Sequence, residues 1–207
     1  MLAVTISENS ADSLDPLWEK AKEAAQRGDI PGALFIWKSL ADKGVWQIYA
    51  RIGDLYERGA DGVGKDIDQA LRWYRKAVFE GDDPIAHVGL GRAYYNGIGV
   101  DRNIVMARKH FESAYSYGLP EAAIYLGIMY YLAAGVNKDT RRAEKYFEVA
   151  ATDYPYACFF LARIAFLRGR LLKGLKLWIK GVILGTEIAK KDPADPRLLG
   201  FDALTKS

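Results

Sequence analysis

Catalysis requires a nucleophile beside a base, two carboxylates in a pocket, or a set of metal ligands. This sequence has few residues of those kinds at useful spacing. Its two histidines, His87 and His110, fall on helices of two different types in the pattern set out below. Nothing in their spacing brings them together, and both read as packing or surface residues. The single cysteine, Cys158, stands in Tyr156-Ala-Cys-Phe-Phe160 and reads as a small buried residue rather than a reactive thiol. The glycine-bearing stretches 59–65 and 96–99 neither follow a strand nor complete a phosphate-binding fingerprint, so they read as helix ends and turns. Asp61 and Asp66 fall short of the ligand count of a calcium loop. No cofactor or metal is expected, and no enzymatic activity.

The elements that would position any site come from an internal repeat. Gly53, Gly91 and Gly127 recur 38 and 36 residues apart, each followed three residues later by a tyrosine, Tyr56, Tyr94 or Tyr130, and then by a further glycine. A second segment follows each, running from Ala70 to Ala77, Ala107 to Ala114 and Ala143 to Ala150, with small and aromatic residues at offsets of four and seven. Both segments have helical periodicity. Each unit reads as helix A, a glycine-bearing loop and helix B. The glycine on helix A is expected to admit a neighbouring helix closely, with the tyrosine one turn later filling the space beside it. Four residues before the repeated alanine stand Asp29, Asp66, Asn103 and Asp139, which are expected to cap helix B.

The repeat divides a single domain, 1–207, into three regular units at 45–83, 84–119 and 120–154. Shorter-looped helix pairs at 14–44 and 155–185 flank them, and a tail follows over 186–207. Degenerate end units are usual where repeats face solvent.

Composition bounds the function classes. The 29 basic and 26 acidic residues leave +3, too little to imply nucleic acid or an anionic membrane. Residues 155–207 carry ten basic and four acidic side chains, so the basic character sits in the C-terminal quarter. One cysteine forms no internal disulfide, which fits a reducing compartment. The first ten residues lack the pattern of a secretion signal, and the apolar runs are broken well before the ~20 residues of a membrane span. A cytoplasmic protein without membrane insertion is expected.

The stretch from Ala86 through Gly91, Tyr94, Gly97 and Gly99 to Val100 resembles the Sel-one-like repeats, relatives of the tetratricopeptide repeats with a longer loop. The neighbouring units match with small departures: an insertion at 60–64, and Gly135-Val136 without the second loop glycine. The resemblance covers about residues 45–154. It implies an all-α fold, a right-handed superhelical solenoid of about five antiparallel helix pairs, with the A helices lining a concave face. It further implies an adaptor, assembly factor or inhibitor acting on a partner protein, a family habit seen often in bacteria.

By analogy with tetratricopeptide geometry, the groove would be charged at its N-terminal end, from Glu19 to Arg58. Further along, past Val88, it would become aromatic, with Arg92, Tyr95, Tyr125, Ile128, Tyr131, Tyr156, Phe160 and Arg163 as the partner-binding set. Tyr and Arg are enriched in interface hot spots. The same aromatics also suit helix packing, and the tail from Asp192 to Phe201 suits folding back over the last unit. Leu175, Trp178, Ile179 and Val182 suit a dimer seam or a seat for that tail, and Lys173, Lys176 and Lys180 a solvated face.

The expected function is non-catalytic binding of a protein or peptide in this groove, as an adaptor or scaffold. The alternative is a dedicated inhibitor or immunity-type protein that blocks one enzyme or toxin. A small-molecule or polysaccharide binder, or an enzyme, stands behind both. No nucleic-acid partner is expected.

Overall fold

The structure, a computed structural model, describes residues 16–192 and 195–198. Its ten α-helices are α1 (Pro16–Gln26), α2 (Ile30–Asp42), α3 (Tyr49–Arg58), α4 (Ile67–Gly81), α5 (Pro84–Asn96), α6 (Ile104–Ser116), α7 (Pro120–Leu132), α8 (Thr140–Ala150), α9 (Pro155–Leu167) and α10 (Leu171–Lys191). No strand occurs among the described residues. They form the expected all-α series of five helix pairs. The chain divides into two compact units at Ala114 and Tyr115, near the end of α6. The first ten residues and half of the 186–207 tail lie outside the described residues.

Capping residues set where the helices begin. Asp29, Asp66, Asn103 and Asp139 each accept backbone N–H bonds in the first turn of the following B helix, from Gly32, Gln69, Met106, and Arg141 with Arg142. Pro84, Pro120 and Pro155 occupy the first turns of α5, α7 and α9, where an amide hydrogen has no helical partner to lose. The loops at 59–66, 97–103 and 133–139 are long, whereas those at 27–29 and 168–170 are short, as the repeat pattern implies.

Loop geometry revises one detail of the repeat. Gly97 ends α5 with φ 71°, and the structurally matching residue at the end of α7 is Ala133, with φ 60°. Gly135, at φ 67°, matches Gly99, at φ 69°. The third repeat therefore lacks the first loop glycine, not the second. An alanine held in this left-handed conformation costs about 1 kcal/mol.

In the first unit, the repeated glycines accept aromatics from helix B. A Cβ on Gly53 would lie 2.7 Å from Tyr74 Cδ1, and one on Gly91 would lie 2.5 Å from Phe111 Cε1. In the second unit, a Cβ on Gly127 would lie 2.6 Å from Phe147 Cε1. The filler is thus the B-helix aromatic, not the tyrosine one turn along helix A. That tyrosine stacks on the residue just before the filler: Tyr94 on His110 at 5.7 Å, and Tyr130 on Tyr146 at 5.8 Å. The reason is register: a helical period fixes the face a residue occupies but not which neighbour meets it.

Each unit has its own core. That of the first gathers Trp18, Trp37, Ile52, Tyr49 and Tyr74; that of the second gathers Ile124, Phe147, Leu161 and Ile164 around buried alanines. Fully burying one of these large side chains contributes about 2 kcal/mol. No helix among the described residues is long and apolar enough to cross a membrane.

Candidate functional site

The predicted binding residues fall in two places. Arg92 and Tyr95 lie on α5 in the first unit, and Tyr125, Ile128, Tyr131, Tyr156, Phe160 and Arg163 lie on α7 and α9 in the second.

On α5, Arg92 is committed to α3. Its guanidinium pairs with Glu57, and Asp54 Oδ1 lies 4.0 Å away. The buried Tyr74 from α4 joins the same carboxylates, with its Oη 2.6 Å from Asp54 and 2.7 Å from Glu57. One phenolic hydrogen serves one carboxylate at a time, so Asp54 and Glu57 share the Tyr74 hydroxyl. Burial raises the Asp54 carboxyl above its ordinary value, against the pull of the Tyr74 hydrogen bond. Burial, with the two carboxylates, pushes the Tyr74 hydroxyl far up, so it stays a donor. Tyr95 packs edge-on against Phe111 at 6.5 Å and accepts Arg102 Nε–H at its carbonyl. Val88, expected to face the groove, is 2 % exposed and belongs to the packing of α5.

The two histidines, expected to be unrelated, meet. His87 Nδ1 and His110 Nδ1 are 2.9 Å apart, and His87 Nε2 is 2.8 Å from Asp82 Oδ1. The repeat contains the signal for this contact. Tyr49 and Trp73 stand at the same two positions one repeat earlier, with ring centroids 5.6 Å apart. Burial, then the charges of His87 and Lys109, lowers the His110 pKa to about 4. Among the described residues no cluster of three or more His, Cys, Asp or Glu is placed to hold a metal ion. Cys158 is fully buried, its Sγ–H directed at the Ala151 carbonyl at 3.5 Å, and burial pushes the thiol up.

In the second unit the predicted aromatics converge. Phe160 of α9 stacks on Phe147 of α8 at 4.5 Å with the rings parallel. Tyr131 meets Phe160 edge-on at 5.6 Å, and Tyr156 does so at 4.9 Å. The exposed Arg163 guanidinium lies 5.9 Å from the Tyr131 ring centre, within cation–π range. Ile128 is half-buried against the same core, and Tyr125 is half-buried. Phe147 fills the core, while Tyr131, Tyr156 and Phe160 keep part of their surface in solvent.

Beside Tyr131 opens a cleft of about 520 Å³, with Ile164 and Leu167 of α9 and residues 138–141 at the start of α8 in its walls. Lys138, Arg141 and Arg168 also line it. Sequence reasoning missed Lys138 and Arg141, because they come from a loop and a helix start rather than from the A-helix stripe. Along α10, Leu175, Trp178 and Ile179 are exposed and Val182 is half-buried.

The Sel1 repeat family matches this chain at residues 49–81, 84–118 and 120–153. The chain carries three Sel1 repeats and is a Sel1-repeat protein. It is 36% identical over 99 residues to an ERAD-associated E3 ubiquitin-protein ligase component of Arabidopsis thaliana, an alignment covering 46% of this chain and 15% of that protein. Its fold is that of a Sel1 repeat protein from Oxalobacter formigenes, at TM-score 0.69 and 24% identity over 93% of this chain and 90% of the other. An immunity protein from Pseudomonas aeruginosa shares the fold at TM-score 0.55 and 23% identity, over 87% and 72% of the two chains.

Proposed function

We propose that this chain is a non-catalytic interaction protein that holds another protein, or a peptide segment of one, on the α7–α9 surface of its second unit. The observation that carries this reading is the half-exposed ring group Tyr131, Tyr156 and Phe160, with Arg163 beside it, packed on the rigid Phe147 core. Rings fixed by a core lose little entropy on binding, and Tyr with Arg is the composition of an interface hot spot. Tyr125 and Ile128 extend the same helix face. Arg92 and Tyr95 would make a separate contact on the first unit, with Arg92 pre-oriented by Glu57.

The single, buried cysteine and the apolar helix lengths favour action in a reducing, aqueous compartment such as the cytoplasm. The role we favour is an adaptor or scaffold. Restraint of one enzyme or toxin is the second reading, prompted by the P. aeruginosa immunity protein of the same fold.

Affinity capture from the cells that make the protein tests this, comparing wild type with the surface double variant Tyr156→Ala, Arg163→Glu. Wild type should retain a specific protein that the variant loses while keeping its helical circular dichroism and melting temperature. An unchanged set of captured proteins on a folded variant contradicts the reading. One protein held one-to-one, with its activity abolished, marks an inhibitor; two or more held together mark a scaffold.

A further inference from the structure

The cleft beside Tyr131 carries a charge imbalance that points to the kind of partner. Asp139 is the acidic residue in its lining, and both its oxygens are engaged. Oδ1 accepts the amides of Arg141 and Arg142, and Oδ2 lies 3.3 Å from Arg142 Nε. Behind it, Glu144 pairs with Arg168 and lies 3.9 Å from Lys173. Among the described residues, three cations have no carboxylate partner within 4.0 Å: Lys138 and Arg141 in the lining, and Arg163 at the edge. All three are exposed. Lys138 Nζ and the Arg163 guanidinium lie 6.0 and 5.9 Å from the centre of the same Tyr131 ring.

These cations surround an apolar patch. Ile164 at the cleft is 1 % exposed, whereas Leu167 at its mouth is 73 % exposed. A concave site with a low-dielectric wall strengthens the field of unmatched charges at its rim and steers oppositely charged groups toward it.

Resting on the reading that this surface binds a protein, we propose that the cleft takes an acidic segment of the partner. Its Asp or Glu side chains meet Lys138, Arg141 and Arg163, and an apolar side chain among them seats against Tyr131 and Leu167. Single-stranded nucleic acid fits less well. Base stacking needs an open ring face, and Tyr131 is packed against Phe147 and Phe160 while both cations lie near its ring.

A selection on the full chain tests the proposal. A display library of random 12-residue peptides is panned against wild type, and the enriched pool is titrated against two folded variants. One is Lys138→Gln, Arg141→Gln, Arg163→Gln, which removes only exposed charges. The other is Tyr156→Ala, Phe160→Leu, which alters only the rings. The expected result is a pool enriched in Asp and Glu that binds the charge variant at least tenfold more weakly than wild type, with the difference shrinking as salt is raised. A pool without acidic enrichment, or one that binds the charge variant as tightly as wild type, overturns the acidic-segment proposal. If such a pool still depends on the ring variant, the aromatic surface stands as the binding site. If it is indifferent to both variants, or if wild type enriches nothing, the surface reading falls as well. A labelled oligouridylate binding the cleft more tightly than the best acidic peptide would likewise overturn the proposal.

Discussion

His87 and His110 face each other through their Nδ1 atoms at 2.9 Å, one from α5 and one from α6. Such a contact requires one ring to donate and the other to accept, so the pair cannot carry a proton on both Nδ1 atoms. Asp82 holds the far nitrogen of His87, Tyr94 stacks on His110, Lys109 adds positive charge beside it, and the buried Asp83 stands next to Asp82 in the chain. The pair can accept one proton, but a second breaks it.

The pair makes stability depend on pH. His110 titrates at about 4 in the folded chain, against an ordinary value of about 6.5, so the unfolded chain binds the extra proton first. Its contribution is complete above about pH 6.5 and is lost as pH falls toward 4. Asp54 and Asp83 act with the opposite sign, since burial raises both carboxyls and folding then favours their protonated forms. The His110→Gln variant isolates the histidine term. Urea midpoints at pH 7.5 and 4.5 should fall more for wild type than for the variant on acidification; equal falls would contradict a His110 pKa lowered by burial and by its neighbours.

The glycine on helix A answers to the aromatic on helix B. A Cβ on Gly91 would lie 2.5 Å from the fully buried Phe111 ring. Alanine's better helix propensity, about 1 kcal/mol, is outweighed by overpacking of roughly 1–3 kcal/mol and by the displacement of a ring locked in the core. Gly91→Ala should lower stability by about 1–2 kcal/mol in chemical denaturation. Gly64→Ala, with open space around its Cβ, should change it by less than about 0.5 kcal/mol. A neutral Gly91→Ala would show that the helices can separate freely.

Ala133 offers the converse test. Its φ of 60° is the conformation Gly97 supplies one repeat earlier. Ala133→Gly should stabilise the protein by about 0.5–1 kcal/mol despite glycine's greater freedom when unfolded, and Gly97→Ala should destabilise it by about 1 kcal/mol. If both changes shift stability in the same direction, the register assigned to these loops is wrong.

The shared hydroxyl of Tyr74 predicts a strong response to a small change. Tyr74→Phe keeps the ring against Gly53 and Gly89 but removes the hydroxyl that Asp54 and Glu57 share, leaving two carboxylates beside Arg92. A loss of about 1–3 kcal/mol is expected near neutral pH, smaller in acid where Asp54 is protonated. A loss of the same size across that range would mean that the hydroxyl does not offset the charges of Asp54 and Glu57.

Helix pairs, loop lengths and caps were legible in the sequence because each depends on local chemistry repeated at a fixed interval. Asp29, Asp66, Asn103 and Asp139 serve alike because each first turn has the same orphan amides. Contacts between helices were harder to read. Periodicity placed His87 and His110 on their helices without pairing the faces, and it took Tyr94 for the partner of Gly91 where Phe111 is. The comparison of Tyr49 and Trp73 with the histidines, position for position, was the available clue. The convergence of Tyr131, Tyr156, Phe160 and Arg163 followed the repeat register. The cations Lys138 and Arg141 escaped it, since a loop and a helix start follow no period.

The most direct test of the binding surface is hydroxyl-radical footprinting of the complex with whatever protein wild type captures from its cells. Tyr131, Tyr156 and Phe160 should lose most of their oxidation on complex formation, while the exposed Phe35 and Phe79 keep theirs. Unchanged oxidation of the three α7–α9 aromatics, with protection appearing at Phe35 or Phe79, would place the partner elsewhere and contradict the account.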